Sequence, residues 1–120
     1  MAGPGIFRLG PGRAHTVLSF PPFLLDVQGG RLWRGASEVR LRRRQFAILC
    51  YLAERPGRLV RRDELVAGVW NGVAVSDGVL REHVRQLRTV LGPTLIQTVR
   101  GLGYRFVADV KPTHDERPAS

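Results

Sequence analysis

Gln97-Thr98-Val99-Arg100-Gly101-Leu102-Gly103-Tyr104-Arg105-Phe106 joins two β-type runs at a Gly-x-Gly turn with an arginine at its lip. The alternation in Ile96-Gln97-Thr98-Val99 and in Tyr104-Arg105-Phe106-Val107 predicts paired strands around the turn Arg100-Gly101-Leu102-Gly103. Glycines allow such a turn to be tight and to approach another backbone closely. A dinucleotide-binding loop also uses Gly-x-Gly, but it needs strand, glycine loop and then helix, and here a strand follows Gly103.

The residues before the hairpin give it meaning. From Ser76 to Leu91 the pattern is helical: Leu80, Val84, Leu87 and Leu91 fall on one stripe, the arrangement that buries a helix against a core. Ser76 or Asp77 can cap its start, and Gly92-Pro93 ends it. Arg81, Arg85 and Arg88 form a second stripe, with Glu82, Gln86 and Thr89 extending the polar surface. Arginines one turn apart repel one another unless an anion compensates. Two readings fit the stripe: a solvated face in which Glu82 pairs one arginine, or a surface for a polyanion. His83 stands at the border of the two stripes, placed either for a phosphate hydrogen bond or for partial burial.

Composition favours the polyanion. The chain has 120 residues, 43% of them hydrophobic, enough for one domain with a real core. Its net charge is +9, and all but one of the basic residues are arginines, Lys111 being the exception. The charges of Lys111, Asp115, Glu116 and Arg117 cancel, so the excess lies in residues 1–110. Nucleic acid comes ahead of a membrane surface, because no amphipathic helix joins a basic face to bulky exposed aromatics. The lone Cys50 sits in an apolar helical run and excludes an internal disulfide framework or thiolate metal site. No stretch approaches the ~20 apolar residues of a membrane span, and the sequence reads as cytoplasmic, or as the cytoplasmic part of a longer or membrane-anchored regulator.

The remainder divides readily. Residues 1–15, rich in glycine and proline, read as a flexible arm in which Arg8 and Arg13 are available to phosphate; 16–109 read as the folded domain, and 110–120 as a polar tail or linker. Short apolar runs at 17–20, 23–27, 31–34 and 38–41 predict a small antiparallel sheet of three or four strands. Phe46, Leu49, Cys50, Leu52 and Ala53 predict a first helix over 43–55, stopped at Pro56-Gly57. Leu59-Val60 reads as an extended link, and Asp63 to Trp70 as a second helix with Leu65, Val69 and Trp70 inward.

Three blocks carry a family resemblance: Phe46 to Val60, Glu64-Leu65 through Val69-Trp70, and Val75-Ser76-Asp77 through Leu87-Arg88 with Thr98 to Phe106. In this order they resemble the OmpR/PhoB-type winged-helix DNA-binding domain of bacterial transcription regulators, over roughly 16–108. The resemblance implies an α+β fold, a winged helix-turn-helix with an N-terminal antiparallel sheet, three helices and a C-terminal hairpin wing. It implies a recognition surface of Arg81, Glu82, His83, Arg85, Gln86 and Arg88, wing contacts from Thr98 and Arg100, and Tyr104 supporting the hairpin. Loop 71–77 lies where family members contact RNA polymerase, but here it is short and nearly uncharged apart from Asp77. Two departures stand out: Arg42 and Gln45 open the first helix, and Arg61 the second, where a Ser/Thr cap is usual, each lost cap costing about 1 kcal/mol. Arg42, Arg43, Arg44, Arg61 and Arg62 near these unfavourable dipoles are either phosphate contacts or a merely basic surface.

The implied function is sequence-specific binding of double-stranded DNA in transcription control, with helix 76–91 in the major groove and wing 96–107 in the minor groove. Partners would be direct-repeat sites bound by head-to-tail pairs. The alternative is a winged-helix interaction module binding an acidic protein. An enzyme finds no support: His15, His83 and His114 lack metal-ligand spacing, no acid or nucleophile stands in a catalytic pattern, and no cofactor, metal or small-molecule substrate is expected. A receiver domain would need ~100 more residues, so any sensory or effector region is expected after Ser120.

Overall fold

The computed structural model describes residues 16–113, which divide into two compact units, 16–40 with 111–113 and Leu41–Val110. The arm read at 1–15, with Arg8, Arg13 and His15, and residues 114–120 with His114 lie outside the described residues.

The first unit is an antiparallel sheet. Strands β1 (Val17–Phe20), β2 (Phe23–Asp26), β3 (Arg31–Arg34) and β4 (Ser37–Val39) follow as hairpins. Val17, Leu18, Phe20, Phe23, Leu25 and Leu32 are its buried apolar residues. Asp26 is buried as well, and its carboxylate accepts the Gly29 N–H at 2.9 Å to close the turn into β3. A fifth strand is formed by 111–113, so this part of the stretch read as a tail is ordered in the sheet. Strand β8 (Lys111–Thr113) pairs antiparallel with β1, giving the order β4-β3-β2-β1-β8. Pro112 hid it, since proline lacks a ladder donor, but an edge strand tolerates one.

The second unit contains three helices and a small sheet: α1 (Arg43–Ala53), β5 (Leu59–Arg61), α2 (Arg62–Trp70), α3 (Asp77–Leu91), β6 (Ile96–Val99) and β7 (Gly103–Phe106). Leu80, Val84, Leu87 and Leu91 of α3 are buried, as the stripe predicts, and so are Leu65, Val69 and Trp70 of α2. Ser76 caps α3, its Oγ accepting the Val79 N–H at 3.2 Å, and Gly92 ends the helix at φ 97°. Gln45 retains half a capping box at α1, accepting the Arg42 N–H through Oε1 at 3.4 Å.

Leu59-Val60 is more than a link: β5 pairs antiparallel with β7, so the sheet order is β5-β7-β6. The apolar pair was too short to announce a ladder that forms across more than 40 residues of sequence. The hairpin turn closes through the Leu102 N–H to the Val99 carbonyl at 2.9 Å, with Gly101 at φ 75°, a left-handed position costly to residues with a Cβ. Gly103 answers a different need. A Cβ there would lie 2.1 Å from the Val60 carbonyl oxygen and 2.9 Å from the Arg61 Cα, both backbone atoms with little room to move.

Gly103→Ala should therefore cost about 1–3 kcal/mol of stability, the range for forced overpacking, and more than Gly101→Ala. Urea denaturation of both variants measures this, and equal losses would show that β5 yields.

Candidate nucleic-acid interface

Packing of α1 on α2 sets the platform for α3. The Tyr51 hydroxyl donates to Glu64 Oε2 at 2.8 Å, and Arg58 Nη2 donates to the same oxygen at 2.6 Å. These bonds, Arg58 first, hold the Glu64 carboxyl below its ordinary pKa, while the hydrogen bond to Glu64 raises that of Tyr51. Arg55 lies on the Tyr51 ring at 3.7 Å. Arg44, read from sequence as a phosphate candidate, instead donates to the Val69 carbonyl at 2.7 Å and stacks on Trp70 at 5.3 Å. It supplies a cation at the C-terminal end of α2, where the helix dipole favours one.

The face of α3 turned to solvent carries Arg81, Glu82, Arg85 and the half-buried Gln86. Arg81 has no ion-pair or hydrogen-bond partner among the described residues. Arg85 grips Glu82 in a fork, Nε to Oε1 at 2.9 Å and Nη2 to Oε2 at 2.6 Å, and Gln86 Nε2 adds a third bond to Oε2 at 2.8 Å. Arg85, then Gln86, pull the Glu82 carboxyl down to about 2, so it stays an anion at any ordinary pH. Gln86 Oε1 meanwhile accepts from Gln45 Nε2 of α1.

Arg88 turns away from this face. Its Nε and Nη2 donate to the Ile96 carbonyl at 3.1 and 2.7 Å, and Nη2 reaches Thr98 Oγ1 at 2.8 Å. Two residues read as separate DNA contacts thus tie α3 to β6. The arginine stripe could not reveal this, since nothing in helical spacing says where β6 will lie. Tyr104, opposite Thr98 in the ladder, is 4% exposed. Burial raises its hydroxyl's pKa while Arg88, Arg81 and Arg62 oppose the rise. Its side chain is packed into the interior beneath the hairpin. His83 packs beside Trp70 at 5.6 Å with its Nδ1 buried and unpartnered, which fits the packing alternative.

At the wing tip the Arg100 guanidinium is exposed and unpartnered among the described residues, as are those of Arg42, Arg43 and Arg61. Arg62 approaches Asp77 Oδ1 at 3.6 Å, and its N–H donates to the Leu102 carbonyl at 3.2 Å, so the wing satisfies an amide at the uncapped start of α2. An open cleft of about 500 Å³ lies there, lined by Arg61, Arg62, Val66, Val75, Asp77 and Leu102 among others. Sequence reasoning gave Gln45 no part in this surface; an amide on the buried side of a helix was the available signal.

A third helix with one apolar and one basic face, running into a hairpin beside its own N-terminus, defines a winged-helix domain of the DNA-binding kind. The chain belongs to the family described as "Transcriptional regulatory protein, C terminal", whose model matches residues 36–106. It is 36% identical over 110 residues to the transcriptional regulatory protein CseB of Streptomyces coelicolor, covering 89% of this chain and 47% of that protein. To the phosphate regulon regulator PhoB of Escherichia coli it is 32% identical over 104 residues, covering 82% and 45%. It therefore spans about half the length of these relatives. Among solved structures, the DNA-binding domain of Escherichia coli CadC superposes with a TM-score of 0.72 at 26% identity, covering 82% of this chain and 98% of that one. The DNA-binding domain of Klebsiella pneumoniae RstA, in complex with the RstA box, gives 0.69 at 29% identity, covering 78% and 98%. Among the described residues no helix is long and apolar enough to cross a membrane.

The Glu82 fork has a measurable signature. A carboxyl whose folded pKa lies below its unfolded value stabilises the fold above the unfolded value and ceases to as pH falls through the folded one. The window here runs from about 4.5 down to about 2. An NMR titration should place Glu82 near the lower value, and Arg85→Ala should return it most of the way to the upper.

Proposed function

We propose that this chain is a sequence-specific double-stranded DNA-binding module of a transcription regulator, with α3 in a major groove and the Arg100 tip of the wing in the adjacent minor groove. The carrying observation is the pairing of α3 with the wing. Arg88 locks β6 to the helix, and Arg81 and Arg100 are left without protein partners on the helix and the tip. A major groove admits an α-helix, and a narrow minor groove draws an arginine by its potential. The net charge of +9 supplies the long-range attraction. Arg42, Arg43 and Arg61, unpartnered near helix starts, are the flanking phosphate contacts; Arg44 and Arg88 support the site from within.

Head-to-tail pairs on direct repeats, with half-sites about one helical turn or ~10 bp apart, complete the reading. A regulator of this kind works in the cytoplasm, and it requires neither cofactor nor metal for binding. The acidic-protein alternative is not favoured, since a relative of closely similar fold was solved on its DNA box.

Fluorescence anisotropy on a selected duplex, repeated across salt concentrations, tests this. Arg81→Ala and Arg100→Ala should each weaken binding about tenfold, and a residue that contacts phosphate should also lower the salt slope by about 1. Unchanged affinity in both variants would remove the helix-and-wing assignment.

A further inference from the structure

Glu82 is an odd residue for a basic helix facing a polyanion, and its hydrogen bonds give the reason. Four side-chain and backbone groups form one directed chain. The Arg42 backbone N–H donates to Gln45 Oε1 at 3.4 Å, Gln45 Nε2 donates to Gln86 Oε1, and Gln86 Nε2 donates to Glu82 Oε2 at 2.8 Å. The chain begins on a backbone N–H, which can only donate, and ends on a carboxylate, which can only accept. Both amides therefore have a single orientation. Gln45 is 5% exposed, so the chain is anchored in the interior of α1 while its far end lies on the exposed face of α3.

This has two consequences for readout. Gln86 is held at both ends by protein partners, and turning its amide to grip adenine would leave the buried Gln45 Nε2 without an acceptor, a costly exchange. Gln86 is therefore a bracket. The Arg85 fork, by contrast, uses only Nε and one hydrogen of Nη2, so the outer edge of the guanidinium keeps its remaining donors. Glu82 Oε2 is taken up by Arg85 Nη2 and Gln86 Nε2, whereas Oε1 accepts one bond from Arg85 Nε and retains a second lone pair. Donors and an acceptor held in one fixed unit are the chemical complement of the major-groove edge of a G·C pair, where guanine O6 and N7 accept and the neighbouring cytosine N4 donates. A phosphate would meet the Glu82 charge and be repelled; a base edge carries no net charge.

We infer that Glu82 and Arg85, braced by Gln86, read one G·C base pair, Arg85 donating to guanine and Glu82 accepting from cytosine N4–H, with Gln45 of α1 the positioning residue for that choice. The inference rests on the placement of α3 in the major groove. It adds a specificity role for a side chain that cannot itself reach DNA.

Selection from random duplexes with the 120-residue chain, followed by affinities for the selected site with each base pair changed in turn, tests it. The wild-type chain should show one G·C pair per half-site whose replacement by A·T weakens binding about tenfold or more. Glu82→Gln should flatten the preference at that pair alone while raising affinity for random duplex. Gln45→Met, which keeps bulk and removes the amide, should flatten the same pair. Thermal unfolding monitors its fold, and Gln86→Leu cuts the same chain from the exposed side should Gln45→Met fail to fold. An unchanged preference at every position in Glu82→Gln overturns the base-pair assignment. A loss in Glu82→Gln with none in Gln45→Met or Gln86→Leu overturns the positioning role. Failure of the wild-type chain to enrich any duplex overturns the groove placement itself, and with it this inference.

Discussion

Backbone against backbone at Gly103 governs the helical unit. With no Cβ at this position, β7 can run beside Val60 and Arg61, and only then is it the central strand of β5-β7-β6. The register that follows puts Arg61 opposite Gly103 and brings the Leu102 carbonyl to the first amide of α2. The hairpin is thus fastened along β7 to the start of the second helix. Its other strand is fastened to the third: β6 presents the Ile96 carbonyl and Thr98 hydroxyl to Arg88. A wing held on both strands moves with α3, and a fixed geometry between helix and tip is what reading two grooves at once requires.

The arginines sort by what they touch. Arg44, Arg55, Arg58 and Arg88 are engaged with carbonyls, rings and carboxylates of the fold. The guanidinium groups of Arg42, Arg43, Arg61, Arg81 and Arg100 have no partner among the described residues. Those at the starts of α1 and α2 oppose the helix dipole and replace caps that a serine or threonine would supply, which weakens the free domain by an amount a bound phosphate can return. Stability set aside in the free state for an interaction with an anion is consistent with a surface selected for binding.

The helices were legible in the sequence because each has a run of apolar residues long enough to show its period, and the wing because Gly101 and Gly103 interrupt two alternating runs. What escaped was short or long-range. Strands of three residues at Leu59–Arg61 and Lys111–Thr113 carry too little pattern, and both pair with residues more than 40 positions away. The site divided the same way. Periodicity placed Arg81 and Arg85 on the outer face. It could not say that Arg88, on nearly the same stripe, would find a carbonyl of β6, that Tyr104 would be buried, or that a glutamine of α1 would take hold of Gln86. Side chains as long as arginine and glutamine reach beyond their own helix, so their partners are set by tertiary structure and not by helical spacing.

Glu82 then becomes the place where affinity and choice separate. It cancels one positive charge on the surface proposed for DNA and ties down a second side chain, so for attraction alone it is a loss. Counterion release rewards every unpaired arginine regardless of sequence, so that share of the binding distinguishes no duplex from another. A fixed carboxylate adds a penalty against phosphate and against base edges that offer no donor, and penalties of that kind are how discrimination is made larger than affinity. For the penalty to act the carboxylate must not swing aside, and an exposed glutamate on a helix ordinarily would. The bonds from Arg85 and Gln86, with Gln86 itself secured from inside α1, remove that freedom before DNA arrives.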